Sequence, residues 1–416
     1  MKRFAFILFS VVALLLAPAW AQADKVFLKD GRVIEGVITR EGDGFLYISY
    51  KFGEMDRNEF VLRSNIDHIE RDADTATDDS KSKTPIHPDV PAPTPTPTPD
   101  STPRAKLTPS NAPPGACKIA FITLEGEVGP EMNAGALRHS VELLSDDEPD
   151  IVVLKINSGG GALFEIQKLS DVIEKDIKPK YRVVAWIESA ISAAAMTAFT
   201  SEEIYMLKEG NIGAATAFSM SGGRATAAKG EDLERIFREM ERICKRGNHD
   251  YKIMRAMEVP TDLSADIDAN GTITWRYDLE GQHIVSTTNK ILTFNSIDAV
   301  KFGLARSVAD NKDDLARALG CDSWVEVGKD ADEYQQKFRN NVKQAQVRAT
   351  ELLQKMNIAV KSGSLSRARS FLGQLRGLVR RAPSLEVYGS PPLDRDFFKQ
   401  VEEQLDAIAK KNKTRR

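Results

Sequence analysis

Ile151-Val152-Val153-Leu154-Lys155-Ile156-Asn157-Ser158-Gly159-Gly160-Gly161 begins as a short apolar run and ends in three glycines. Such a run predicts a strand buried on both faces. A helix pattern starts at once, with Leu163, Ile166, Leu169 and Ile173 on one side. Glycines between a buried strand and a helix let the backbone turn sharply and leave amides pointing outward. A second unit follows in Val183-Val184-Ala185-Trp186-Ile187, then Ser189-Ala190-Ile191-Ser192-Ala193-Ala194-Ala195-Met196. Ser192 sits among small residues just past the strand, where another backbone can approach closely. A third strand, Ile204-Tyr205-Met206-Leu207, leads to Asn211-Ile212-Gly213-Ala214. The core thus reads as three strand-then-loop units, with a glycine loop and a serine loop at strand ends.

The GxxxxGK[ST] pattern is absent, which argues against a nucleotide P-loop. The ordered pieces INSGGG, AISAA and TAAKG instead resemble the ClpP/crotonase superfamily, specifically its NfeD-type and signal-peptide-peptidase-A-type serine proteases. Those proteins run strand, N-[ST]-P-G-G, helix, strand, A-x-S-A-G, and later a lysine. The resemblance covers Lys118 to Leu319, roughly half the chain, with Gly159 in place of the proline and Ala194 in place of the glycine after S-A. It implies an α/β ClpP/crotonase-like spiral domain over residues 116–320 that cleaves polypeptide. Ser192 would be the nucleophile and Lys229 the base, with Gly160, Gly161 and Ala193 at the oxyanion. It implies no cofactor and no metal, and a homo-oligomer of two or more copies.

A serine nucleophile needs a base. Among the five histidines (68, 87, 139, 249 and 283) none lies in a matching motif, and His249 in Gly247-Asn248-His249-Asp250 is the one stand-in. Lys229 follows Ser192 by 37 positions (229 − 192) and precedes an amphipathic helix with Leu233, Ile236, Phe237, Met240 and Ile243 on one face. That placement matches the lysine of the family's Ser-Lys dyads. A lysine accepts a proton only when neutral, so burial among Ala225 to Ala228 is expected. Two other readings use the same residues: an inactive scaffold whose groove binds peptides, and a crotonase-type acyl-CoA enzyme. Against the second, the Ser-then-Lys order has no role in CoA chemistry.

Outward from this core, Lys118 to Leu124 reads as the first strand, and Leu137, Val141 and Leu144 give the helix after it. Alternating strands and helices imply parallel, right-handed crossovers with the site at strand C-termini. Residues 259–292 read as a β-rich excursion turning at Asp268-Ala269-Asn270-Gly271, with Thr272 to Leu279 as a strand. Leu292 to Ala305 resembles the family's L-T-x-x-x-A-x-x-x-G-L-A ending, in which Asn295 or Ser296 caps a helix that Gly303 stops.

Met1-Lys2-Arg3, the apolar run Phe4–Leu16 and small-x-small sites at Ala19–Ala23 predict a signal peptide over 1–23, hence export to a periplasmic or extracellular location. Residues 24–70 read as short strands and turns suited to a five-stranded, SH3-like β-barrel, with His68 a surface residue. Residues 71–115, containing PAPTPTPTPDSTP, read as an extended linker. Residues 330–416 read as a helical region, with helices over 334–360, 366–379 and 394–410 and a basic face of Arg367, Arg369, Arg376, Arg380 and Arg381. That tail stands where relatives carry membrane segments, so a membrane-associated partner protein is one expectation. A net charge of −3 gives no electrostatic case for nucleic acid. Cys117, Cys244 and Cys321, odd in number and far apart, read as neither a disulfide framework nor a zinc site.

Overall fold

The structure, a computed structural model, describes residues 24–28, 33–41, 45–52, 55–62, 66–71, 115–221, 224–389 and 391–414. The signal peptide and nearly all of the linker lie outside the described residues. The chain divides into two compact units, Met1–Thr98 and Pro99–Arg416.

In the first unit, β1 (Asp24–Leu28), β2 (Val33–Glu41), β3 (Phe45–Phe52), β4 (Met55–Leu62) and β5 (Ile66–Glu70) form one sheet in the order β4-β3-β2-β1-β5. Alternate side chains Val26, Leu28, Ile34, Leu46 and Ile48 make its core. The pairings of the described residues give an open order, without closure of β4 onto β5. His68 is exposed, bonded to Asp67 and stacked on Phe27 across the β1–β5 pair.

The second unit is built on a six-stranded sheet. Its strand–helix alternation runs β6 (Cys117–Glu125), α1 (Ala134–Glu142), β7 (Ile151–Ser158), α2 (Leu163–Val172), β8 (Arg182–Ile191), α3 (Ala193–Ala198) and β9 (Glu203–Gly213). These four strands pair in parallel, each with the next. Their side chains alternate between two cores: Ala120, Ile122 and Leu124 of β6 face one, Ile119 and Phe121 the other. Burial on both faces is why these strands read as continuous apolar runs.

The hairpin β10 (Phe218–Ser221) and β11 (Arg224–Ala227) leads to α4 (Gly230–Arg246) and α5 (Tyr251–Glu258). The excursion forms its own sheet from β12 (Leu263–Ile267), β13 (Ile273–Arg276) and β14 (His283–Ser286). The turn falls at Asp268–Gly271 as the sequence predicts, but the strand after it stops at Arg276, where Asp278 draws Arg276 into an ion pair and takes the Glu280 amide. β15 (Thr293–Asn295) adds antiparallel to β9, and α6 (Ser296–Lys301) is capped by the Asn295 side chain. Gly303, at φ +66, ends it. α7 (Lys312–Ala318) and β16 (Trp324–Val327) follow, β16 pairing in parallel with β6 to give the sheet order β15-β9-β8-β7-β6-β16.

That last pairing corrects the cysteine reading. Trp324 lies opposite Cys117, and Cys117 is disulfide-bonded to Cys321 with 5.9 Å between Cα atoms. The two are 204 residues apart in sequence, but the topology returns the chain to the strand it began with. Cys244 is free and buried in the core.

The remaining helices are α8 (Lys329–Lys361), α9 (Leu365–Arg381), α10 (Ser384–Tyr388) and α11 (Arg395–Thr414). α8 presents one long buried seam. Ala331, Gln335, Arg339 and Val342 come first, then Ala345, Ala349, Leu352, Met356 and Ala359. The second set packs with Leu372, Leu375, Leu378 and Leu405 into a separate core, so the helices form an arm with its own interior. Two of the arginines on the expected basic face are neutralised within the arm, Arg369 by Asp406 and Arg376 by Glu402. Among the described residues no helix is long and apolar enough to cross a membrane.

Candidate functional site

Parallel pairing puts the C-terminal ends of β6, β7 and β8 along one edge of the sheet, and the glycine and serine loops meet there. Ser192 links β8 to α3 with φ 56 and ψ −125. A non-glycine residue with positive φ is uncommon, and such strain persists where the surroundings impose it. Here they do so from both sides. The Ser192 N–H donates to Gly213 O at 3.0 Å, and the Ser192 carbonyl takes the Met196 amide to begin α3. The side chain is half-buried and caps nothing, which leaves its hydroxyl to the edge of the sheet.

Gly160 presses on this turn. With φ +100, a Cβ there would stand 2.6 Å from Ser192 Cβ and 3.1 Å from Ala193 N, so only glycine fits. Its amide donates to Ser158 Oγ at 3.1 Å and is therefore engaged within the loop. Gly161 is different. Val128 N–H donates to Gly160 O and Ala162 N–H donates to Val128 O, both at 2.8 Å, so Val128 bridges Gly161 in parallel fashion. A residue bridged in this way turns its own N–H and C=O toward the opposite neighbour. The glycine loop meets the serine turn through Gly160, next to Gly161 in the chain. Ala193, the first residue of α3, has an N–H with no acceptor inside its helix.

The two departures from the family pattern fall where the backbone tolerates them. Ala194 lies in the first turn of α3, and neither it nor Gly159 has positive φ. Asn157, at the head of the glycine loop, is anchored by Glu188, which also pairs with Lys155.

Lys229 is not buried as a neutral lysine base would need to be. It is the N-cap residue of α4, and it is exposed, contrary to the burial its alanine neighbours suggested. It stands two residues past the end of a two-stranded hairpin that is separate from the main sheet, and Ala227 and Ala228 before it are themselves only partly buried. No hydrogen bond joins the Lys229 amine to the Ser192 hydroxyl among the described residues. The backbone nevertheless ties the two regions together. Ser192 bonds Gly213, Ala215 N–H donates to Met257 O at 2.7 Å, and Ala228 N–H donates to Ala217 O at 2.9 Å. His249 is committed elsewhere, its Nε2 2.8 Å from Ser201 O beyond the far end of α3 and its ring edge-on to Phe199. Burial holds its pKa below the usual imidazole range.

Sequence reasoning missed Val128 and Ser158, which set the glycine loop, and Tyr388, which reaches the loop's flank. Ser158 stands inside the quoted motif. Val128 and Tyr388 carry no spacing signal, because their roles come from where the chain passes in space.

The fold and site together define an α/β protein with a serine on a strained strand-to-helix turn facing a glycine loop. Residues 118–326 match the family described as NfeD1b, N-terminal domain, and the chain belongs to that family. Over 188 residues it is 29% identical to the "Membrane protein NfeD1b" of Bacillus subtilis (strain 168), a match covering 45% of this chain and 38% of that protein. Among solved structures, a membrane protease specific for a stomatin homolog from Pyrococcus horikoshii is 14% identical at a TM-score of 0.33, covering 49% of this chain and 79% of that one. The ClpP1 of Listeria monocytogenes is 17% identical at a TM-score of 0.31, covering 47% and 94%.

Proposed function

We propose that this protein is an exported serine endopeptidase of the Ser-Lys type, cutting extended apolar segments of polypeptide with Ser192 as nucleophile. The observation that carries it is the backbone of Ser192, held at positive φ with Gly160 packed against it. A strained strand-to-helix turn of this kind lifts a serine hydroxyl out at the head of a sheet. The hydroxyl attacks the scissile carbonyl, and the tetrahedral oxyanion is received by the amides of Gly161 and Ala193, at the start of a helix. Gly160 contributes room, since its own amide is engaged. Lys229 takes the serine proton once the β10–β11 hairpin is covered, by a second copy of the chain or by the substrate, and its amine is thereby desolvated. The Cys117–Cys321 disulfide suits an oxidising compartment outside the cytoplasm. A membrane-associated protein partner fits the relative's name.

The exposure of Lys229 favours a second reading, a peptide-binding scaffold that keeps the groove and has lost the chemistry. Reaction of the purified protein with a serine-directed phosphonate separates the two. The peptidase is labelled at Ser192, and Ser192→Ala loses labelling and about 10³-fold or more of peptide turnover while keeping its fold. Lys229→Arg is equally inactive, because a guanidinium stays protonated. An unlabelled wild-type protein that still binds extended peptides establishes the scaffold.

A further inference from the structure

The helical arm lies beyond the part of the chain that matches the family, yet it grips the site's supporting loop from two sides. The supporting loop is residues 126–132, whose Val128 holds Gly161. On one side α8 runs along β6. Asp332 accepts the Thr123 amide at 2.7 Å and Arg339 donates to the Thr123 carbonyl at 2.6 Å, so two side chains complete the strand edge that β16 leaves open. One turn on, Arg339 pairs with Glu125 at 3.6 Å and Lys343 with Glu131 at 3.4 Å. Glu131 is buried against Gly126, and Lys343, with Arg339 behind it, supplies the positive charge that favours its carboxylate in the loop.

On the other side stands α10. Tyr388 lies on Gly129, where a Cβ would meet its ring at 2.6 Å and Ala162 at 3.2 Å. The same ring stacks on Phe164 with 5.4 Å between centroids. Its hydroxyl donates to Glu165 at 2.5 Å, and Glu165, buried, also takes the Ala134 amide that opens α1. Ala162, Phe164 and Glu165 directly follow the glycine loop. Tyr388 is three residues from Leu385, which is buried in the arm's own core.

We propose that the arm is a brace for the glycine loop, in which Lys343 and Tyr388 are positioning residues that fix Val128 and hence the backbone of Gly161, next to the glycine that abuts Ser192. The inference rests on the peptidase reading only for its effect on catalysis. The brace itself is read by exchange of two amides, Val128 N–H and Ala162 N–H, whose bonds hold Gly161 in place. Hydrogen exchange on the full-length protein compares wild type with Tyr388→Phe, Tyr388→Ala, Lys343→Ala and the charge-conserving Lys343→Arg. Peptides spanning 126–132 and 160–164 exchange about 10-fold faster or more in the two alanine variants, while peptides of β12–β14 keep their wild-type rates. Lys343→Arg restores protection, and Tyr388→Phe, which keeps the stack, loses part of it. Phosphonate labelling of Ser192 slows in the same order, by about 10-fold to 100-fold for displacements near 1 Å. Unchanged exchange in both peptides, or acceleration spread equally over β12–β14, overturns the brace. Faster exchange in a protein whose wild type is never labelled upholds the brace and removes only the peptidase reading.

Discussion

At the scale of single residues, the site depends on the space a missing side chain leaves. Gly160→Ala puts a methyl group 2.6 Å from Ser192 Cβ on a backbone at φ +100. Strain of this kind costs about 1–3 kcal/mol, and the relief available is a retreat of the serine turn. Gly160→Ala is therefore expected to lower the thermal midpoint and to lose phosphonate labelling together. A labelled, fully stable Gly160→Ala would mean the loops are not in contact. This contact was legible in part. The glycines and Ser192 were evident from their places after buried strands, but the environment of Lys229 was not. Alanines at 225, 227 and 228 look the same in a sequence whether a helix covers them or solvent does. A hairpin's exposure depends on what packs over it.

At the scale of elements, α3 explains why a departure from the family pattern is tolerated. Ala194 is helical and fully buried, so Ala194→Gly gains no needed freedom. It is expected to cost about 1 kcal/mol by helix propensity and to leave labelling unchanged, with chemical denaturation as the measure. α5 carries a pH signature of its own. Glu258 is buried with Oε2 taking the Tyr251 hydroxyl at 3.0 Å, and burial raises its pKa to about 8. Between the ordinary value of 4.5 and about 8 the folded protein keeps a proton that the unfolded chain releases, so stability falls as pH rises through that window. The slope is at most about 1.4 kcal/mol per pH unit. Thermal midpoints from pH 5 to 8.5 are expected to decline in wild type and to decline less in Glu258→Gln. An equal decline in both would place the titration elsewhere. Such a carboxylate is invisible to pattern reading, since Tyr251 and Glu258 stand seven apart on an ordinary amphipathic helix. The start of α8 was hidden for a related reason. Its first buried turns use Ala331, Gln335 and Arg339, which do not register as an apolar period.

At the scale of the whole molecule, the strand-and-helix order was readable because strands buried on both faces leave unbroken apolar runs. What returns from far along the chain was not. Neither the Cys117–Cys321 bond nor the grip of Tyr388 on Gly129 has a local signal. Odd cysteine number argued against a bond that topology makes natural, because β16 comes home beside β6. That return has a mechanical consequence. A pull applied between Gly115 and Gly328 passes through one covalent staple and the edge strand β16, and bypasses the chain from β7 to α7 that carries Ser192. In single-molecule stretching, the 204-residue span stays hidden as long as the staple is intact, and reduction releases about 700 Å of contour length. Early lengthening without reductant would show that the staple had not formed. Load entering at Gly115 thus passes to Cys321 through the staple without drawing on the turn that holds the serine.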